Sequence, residues 1–281
     1  MSDYLETKNH YNPPPKNIVN FLARFSQWYF EPEYIGLNNL HKDKPGIYVS
    51  NHTLLGITDG PLYIPKLYND LDIYLRVLVD NMHKSVPLWR SIMTDYGAVT
   101  GSREHAKALM EAKQHILVFP GGTNEICKTK GNEYTLMWKD RYGFVKMAVE
   151  NAYPIYPIAS LGGDELYDII YDKEDLVDSK FGKWLEEKGI LDKYFKGGEN
   201  IPPLVKGIGP TLLPKPKKIY YKFCKPVETK KLKGKATEKQ LKEIREKVEE
   251  KIYDGIHELM ELRSKQNDDE QHPIRKFLNS L

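Results

Sequence analysis

Cysteine is scarce: Cys127 and Cys224 are the only two in 281 residues. Two are too few for a disulfide framework, and the pair has no metal-ligand spacing, so they read as unrelated thiols in a reducing compartment. Long apolar runs are absent as well. None approaches the ~18 residues of a membrane span, and the start, MSDYLETKNHYNPPP, is polar and unlike a signal peptide. The expectation is a chain that is not integral to a membrane. One-signed charge is also lacking, with 42 Lys and Arg against 39 Asp and Glu, a balance that alone implies no nucleic-acid partner. Nor is there a G-x-x-x-x-G-K-[ST], a G-x-G-x-x-G after a strand or a G-x-S-x-G, and His257-Glu258 lacks the second His of a zinc helix. Nucleotide, serine-hydrolase and zincin readings fall away, and neither a metal nor a bound cofactor is expected.

What is present is enough chain for one large domain with a sizeable core, without internal repeats or low-complexity tracts. After Pro13-Pro14-Pro15, apolar residues at Ile18, Phe21, Leu22, Phe25 and Tyr29 fall at helical spacing, and Pro32 ends the pattern. Its aromatic load and Arg24 suit a helix lying in a membrane interface, and equally one packed on the domain's own core. Strand-like runs GIYVS, LDIYLRVLVD, HILVF and YPIYPIAS alternate with helical patterns in VPLWRSIMTDYG, SREHAKALMEAKQ and LMWKDRYGFVKMAVEN. That alternation predicts an α/β fold, a single mostly parallel sheet flanked by helices, with its site at the carboxyl ends of strands. Beyond Tyr171 the pattern loosens until KIYYKFCKPV, one more strand. A C-terminal amphipathic helix follows, signalled by Thr237 with Gln240 and by a stripe from Leu241 to Leu259. Positive charge is local: residues 215–251 hold 14 Lys and Arg against 6 Glu, net +8, leaving −5 elsewhere.

Two stretches carry chemistry. In NHTLLGITDG, His52 directly follows a strand, where α/β proteins place reacting groups. Asp59 lies seven residues on, which in an unbroken helix is about 10 Å along the axis and too far for a hydrogen bond. A bend at Gly56 would bring the carboxylate to the imidazole and make His52 an oriented general base; a structural His beside a turn is the plain alternative. In FPGGTNE, two glycines at a strand end leave backbone amides near Gly121 and Gly122 for an anion or an oxyanion, or form only a generic turn.

The order NHTLLGITDGPL, YGAVTGSRE, ILVFPGGTNE, YPIYP resembles the four-block signature of glycerolipid and lysophospholipid acyltransferases. It is most similar to the branch with monoacylglycerol- and diacylglycerol-type acyltransferases and their bacterial relatives. The resemblance runs over residues 46–169, with a weaker echo at KIYYKFCKPV. It implies a catalytic pair His52 and Asp59; an acceptor-facing block at Gly97 and Arg103; a third block at Phe119, Pro120, Gly121 and Gly122, ending in Asn124 and Glu125; and a fourth at Pro157. It further implies that the histidine takes the proton of an acceptor hydroxyl, which attacks an acyl thioester. Two departures stand out. The spacing is His-x6-Asp where the family shares His-x4-Asp, and the third block reads Gly-Gly-Thr-Asn where Glu-Gly-Thr-Arg is usual. Asn cannot replace the bidentate, permanent charge of Arg, so the demand for a phosphorylated acceptor should be weaker and a neutral alcohol suits the site better.

The expected organisation is a polar tail and amphipathic helix over residues 1–40, an acyltransferase domain over 41–230, and a basic helix and tail over 231–281. The expected activity is acyl transfer from acyl-CoA or acyl carrier protein to a membrane lipid alcohol. A non-catalytic lipid-binding protein on the same fold is the alternative. Arg103 is expected to meet phosphate on a donor or acceptor or simply to sit solvated, with Lys128 and Lys130 as candidate helpers or ordinary solvated loop lysines. Pro157 is expected at a strand edge or end, shaping the pocket wall. The first helix and the 215–251 charge excess are expected to anchor the chain peripherally to an anionic membrane on its cytoplasmic face. Nucleic acid is not an expected partner, since those lysines lack aromatic interleaving.

Overall fold

A computed structural model describes residues 11–80, 93–195, 201–266 and 273–280. Its strands are β1 (Glu33–Ile35), β2 (Ile47–Ser50), β3 (Leu75–Val79), β4 (Val99–Thr100), β5 (His115–Val118), β6 (Ile155–Leu161), β7 (Asp168–Tyr171), β8 (Leu204–Lys206) and β9 (Tyr220–Phe223). The helices are α1 (Lys16–Phe30), α2 (Tyr63–Leu71), α3 (Arg103–Glu111), α4 (Thr123–Ile126), α5 (Gly143–Asn151), α6 (Lys173–Asp178), α7 (Lys180–Glu187), α8 (Ile190–Phe195), α9 (Glu238–Lys265) and α10 (Pro273–Ser280). Seven strands form one sheet in the order β1-β9-β6-β2-β5-β3-β4, parallel except where β9 runs against β6. The expected mostly parallel sheet with helices on both faces is therefore what forms. A small antiparallel pair, β7 with β8, is an addition that the loosened pattern after Tyr171 gave no sign of.

Period-2 alternation explains why the central strands are apolar throughout: each feeds two cores. Ile47 and Val49, Ile116 and Val118 point to one face, where α3, α5 and α9 pack. Tyr48, Leu117, Tyr156 and Ile158 point to the other, covered by α1, α2 and the segment after β2. The stripe of α9, from Leu241 through Ile244, Val248, Ile252 and Ile256 to Leu259, is buried against the first face. Its start carries the expected capping box, with Thr237 and Gln240 bonding each other's backbone. Gly255 lets helix and sheet approach closely, since a Cβ there would lie 2.7 Å from Cβ of Ala159 on β6.

Two expectations are corrected. The helix read from LMWKDRYGFVKMAVEN begins only at Gly143. Ahead of it Lys139 takes a positive φ of 51° and Trp138 is fully buried against Phe144, so core burial of the indole overrides helical spacing. Pro157 is not at an edge, because β6 is flanked by β2 and β9. Its missing N–H is tolerated because the β6–β9 ladder starts one residue later, at Ile158, and the Pro157 carbonyl accepts from Cys224 N at 2.9 Å. The first helix is apolar on two sides: Val19, Ala23 and Phe30 are buried while Phe21, Leu22, Phe25 and Trp28 stay exposed. The pattern in VPLWRSIMTDYG falls largely outside the described residues.

Both thiols are buried, and burial pushes Cys127 up to about 11 and raises Cys224. Thiolate is the reactive form, so native protein at pH 8 is expected to label slowly with a maleimide, and denatured protein to take up two equivalents rapidly. Rapid labelling of folded protein would contradict this burial.

Candidate active site

Three adjacent strands deliver the candidate residues to one end of the sheet. β5 leads into Phe119–Glu125's turn, β2 into His52, and β6 into Asp164, and β2 pairs with both neighbours in parallel register. Asn51 extends the β2–β6 ladder by one step, its side-chain amide giving to Ser160 O at 3.0 Å and taking from Ser160 N at 2.8 Å.

Between His52 and Asp59 the chain makes a single turn and reverses. Leu55 has φ 59° and Gly56 φ 66°, two consecutive left-handed residues, with Gly56 N bonded to Thr53 O at 2.9 Å. Glycine is required at 56 for a second reason: a Cβ there would sit 2.8 Å from Cε1 of the His52 ring. The reversal brings the Asp59 carboxylate into contact with His52 Nδ1, so the seven-residue spacing does not keep the pair apart. Asp59, 1% exposed, is fixed by two more donors, Thr53 N at 2.7 Å and Thr53 Oγ1 at 3.0 Å. With this carboxylate at Nδ1, the ring hydrogen belongs on Nδ1 and the lone pair on Nε2. Among the described residues Nε2 has no hydrogen-bond partner, and the side chain is 20% exposed. Phe119 stacks on the ring face, centroids 4.1 Å apart and planes 19° from parallel.

The backbone of His52 is held as firmly as its ring. Its N–H donates to Glu125 Oε2 at 2.7 Å, and Glu125 Oε1 accepts from Met137 N at 2.8 Å. Glu125 is fully buried, which raises its pKa against the opposing pull of Lys128 and of these two amide donors. Gly121 makes room for it, since a Cβ there would fall 2.2 Å from the Glu125 carboxyl carbon. On the other side, Lys128 Nζ donates to His52 O at 2.8 Å and to Asp164 Oδ2 at 2.7 Å. Asp164 also accepts from Leu54 N at 2.6 Å and Tyr134 N at 2.7 Å. Lys128 is therefore not a solvated loop lysine reaching for phosphate; at 2% exposure it is half of a buried ion pair that clamps residues 52–54. Sequence reasoning missed Asp164, Thr53 and Tyr134. The 36-position separation of Lys128 and Asp164 leaves no local signal of their pairing.

Other sequence candidates are spread more widely. Pro120 and Gly121 turn their carbonyls to Arg141 Nη1, at 2.9 and 3.0 Å. Gly122 has φ 54° and gives its amide to Phe119 O at 3.0 Å, so of the two amides considered for an oxyanion only that of Gly121 is left unclaimed within the turn. Asn124 has a buried Nδ2 without a hydrogen-bond partner among the described residues. Arg103 opens α3 just after β4, exposed, at the same end of the sheet as His52. The order β2-β5-β3-β4 puts three strand spacings, about 14 Å, between them. Gly97 precedes β4 and so lies toward the opposite end; its φ of 74° and its carbonyl, bonded to Arg76 Nε at 2.6 Å, give it a structural place. Pro157 is buried in the sheet interior. Lys130 is exposed at the rim of a cleft of about 260 Å³ lined by Leu54, Lys128, Asp164, Tyr167 and Ile169. That cleft adjoins the His52 turn without including the ring.

The profile of the diacylglycerol acyltransferase family matches residues 47–271. Among curated proteins, phytyl ester synthase 2 of Arabidopsis thaliana is 33% identical over 225 residues, 76% of this chain and 31% of the relative. Diacylglycerol O-acyltransferase 1 of Saccharomyces cerevisiae is 28% identical over 131 residues, 46% of this chain and 31% of that protein. The chain thus spans about a third of the length of these relatives. A crystal structure of the 1-acyl-sn-glycerophosphate acyltransferase PlsC from Thermotoga maritima matches with a TM-score of 0.50 at 19% identity, covering 87% of this chain and 79% of that one. At that identity the likeness concerns the fold alone. With four-fifths of its length inside one family profile, and with the turns that join its blocks meeting around His52, this chain is a member of the diacylglycerol acyltransferase family.

Proposed function

We propose that this chain is an O-acyltransferase that moves a fatty acyl group from an acyl thioester to the hydroxyl of a neutral lipid alcohol. The observation that carries the reading is the contact of Asp59 with His52 Nδ1, which leaves Nε2 without a partner among the described residues at the carboxyl end of the sheet. His52 Nε2 takes the proton of the acceptor hydroxyl as its oxygen attacks the thioester carbon. Asp59 holds the tautomer and stabilises the imidazolium that forms. The C–S bond then breaks, and the thiolate leaves with a proton returned by His52. Ester and free thiol are the products, and no acyl-enzyme is required. The amide of Gly121 is the candidate donor to the tetrahedral oxygen.

A neutral acceptor is favoured by Asn124, which stands where the wider acyltransferase group places an arginine. Relatives named for phytyl esters and for diacylglycerol both act, by those names, on uncharged alcohols. The test is an acceptor panel with purified chain: monoacylglycerol, diacylglycerol, a long-chain isoprenoid alcohol and a lysophosphatidate, each with acyl-CoA and with acyl carrier protein, products read by mass spectrometry. Ester formation on the neutral alcohols in preference to lysophosphatidate is expected. Preference for lysophosphatidate would overturn the acceptor assignment, and lipid binding without any thiol release would favour a non-catalytic lipid carrier.

A further inference from the structure

Among the described residues, most of the large exposed apolar side chains fall on three elements, the others being Ile170, Tyr171, Trp184 and Leu204. On α1, Phe21 is 76% exposed, and Leu22, Phe25 and Trp28 extend its apolar face. Leu212, 70% exposed, and Leu213 crown the loop before β9, and Ile274 and Phe277 project from α10. These three elements are fastened together. Tyr29 Oη at the end of α1 donates to Pro214 O at 2.6 Å. Arg275 of α10 pairs with Glu31 and donates to Pro216 O at 3.1 Å, where Asn279 Nδ2 also bonds at 3.3 Å.

Charge on these three segments is mainly basic, and Glu31 at the end of α1 is taken up by Arg275. Residues 16–30, 201–227 and 273–280 contain no Asp or Glu, while they hold Arg24, Lys217 and Lys276. We infer that α1, the 207–216 loop and α10 form one composite docking surface for a bilayer of anionic phospholipid. Aromatic and aliphatic side chains enter the headgroup boundary, and the basic side chains meet lipid phosphate. The inference deepens the proposed function, because the surface abuts the cleft beside His52: Leu212 O accepts from Tyr167 Oη at 3.3 Å, and Tyr167 lines that cleft with Leu54. A lipid alcohol leaving the bilayer there enters the cleft that adjoins the His52 turn.

The fold also divides the basic run between residues 215 and 251. Its α9 portion packs on the opposite face of the sheet from α1. With layers packed about 10 Å apart, the outer sides of α1 and α9 are on the order of 30 Å apart, several Debye lengths at physiological salt. The lysines of α9 therefore add little to docking at α1, and the two expected anchors do not act on one flat membrane.

The test is co-sedimentation of the full chain with phosphatidylcholine vesicles with and without phosphatidylglycerol. Phe25→Asp, Leu213→Asp and Phe277→Asp, each at an exposed position on a different element, are each expected to weaken partitioning by about tenfold or more. Lys239→Glu with Lys242→Glu on α9 is expected to leave it within about twofold. Acyl transfer to acceptor dispersed in detergent should be unchanged in all of them. Wild-type partitioning by the three apolar variants would overturn the inference, as would a loss confined to the α9 variant or a change in oligomeric state in place of a change in vesicle affinity. Vesicle binding as described by a chain without transferase activity would leave the docking surface standing and remove only the proposed function.

Discussion

His52→Ala is expected to lower acyl transfer by about 10²–10⁴-fold, the contribution of a positioned general base, without unfolding the protein. The second half of that expectation follows from the surroundings of Asp59. Removing the imidazole takes away one partner of a carboxylate that is 1% exposed, yet Thr53 N and Thr53 Oγ1 still donate to it. No buried charge is stranded. The ring is partly exposed, so solvent fills its place and no closed cavity forms. Near-ultraviolet circular dichroism and the melting temperature should stay close to wild type. A folded His52→Ala protein that turns over at the wild-type rate would remove His52 from the reaction.

Lys128→Met is expected to act on the fold itself, by about 3–5 kcal/mol, the usual cost of stranding one partner of a buried ion pair. Asp164 would keep Leu54 N and Tyr134 N as donors but lose, at 1% exposure, its one ionic partner among the described residues. His52 O would lose its bond in the same step. Urea unfolding measures the effect, and Lys128→Met with Asp164→Asn should recover much of it, since a neutral pair leaves no bare charge. A single-variant loss below about 1 kcal/mol, typical of exposed pairs, would show that Lys128 is not buried as described.

The contrast between these two variants matches what a reader of the sequence can and cannot see. Local pattern revealed β2, β5 and β6, the capping box at Thr237, and the pairing of His52 with Asp59 through a bend at Gly56, because each rests on residues within a few positions of one another. Partners far apart in the chain stayed hidden. Glu125 was visible as part of its block, but its grip on the His52 amide was not, and Gly121 is explained only once that carboxyl group is seen resting against it. Lys128 was misread because loop lysines are ordinarily solvated, whereas here a carboxylate 36 residues away draws the ammonium into the interior. Pro157 was misread for a similar reason: a proline is barred from a central strand only where its missing N–H would have had a partner, and the ladder to β9 is interrupted at that point. The basic run between residues 215 and 251 looked like one feature in the sequence and became two surfaces when α9 folded onto the far side of the sheet.

The claim that His52 and Asp59 work as one unit is tested most directly by a double-mutant cycle on the rate of thiol release. Its members are His52→Ala, Asp59→Asn and the two combined, each checked for retained fold. If the carboxylate acts only through the ring, adding Asp59→Asn to His52→Ala costs nothing further, and the double variant is as slow as His52→Ala alone. Losses that multiply across the two sites would contradict the dyad and assign Asp59 a separate part in the reaction.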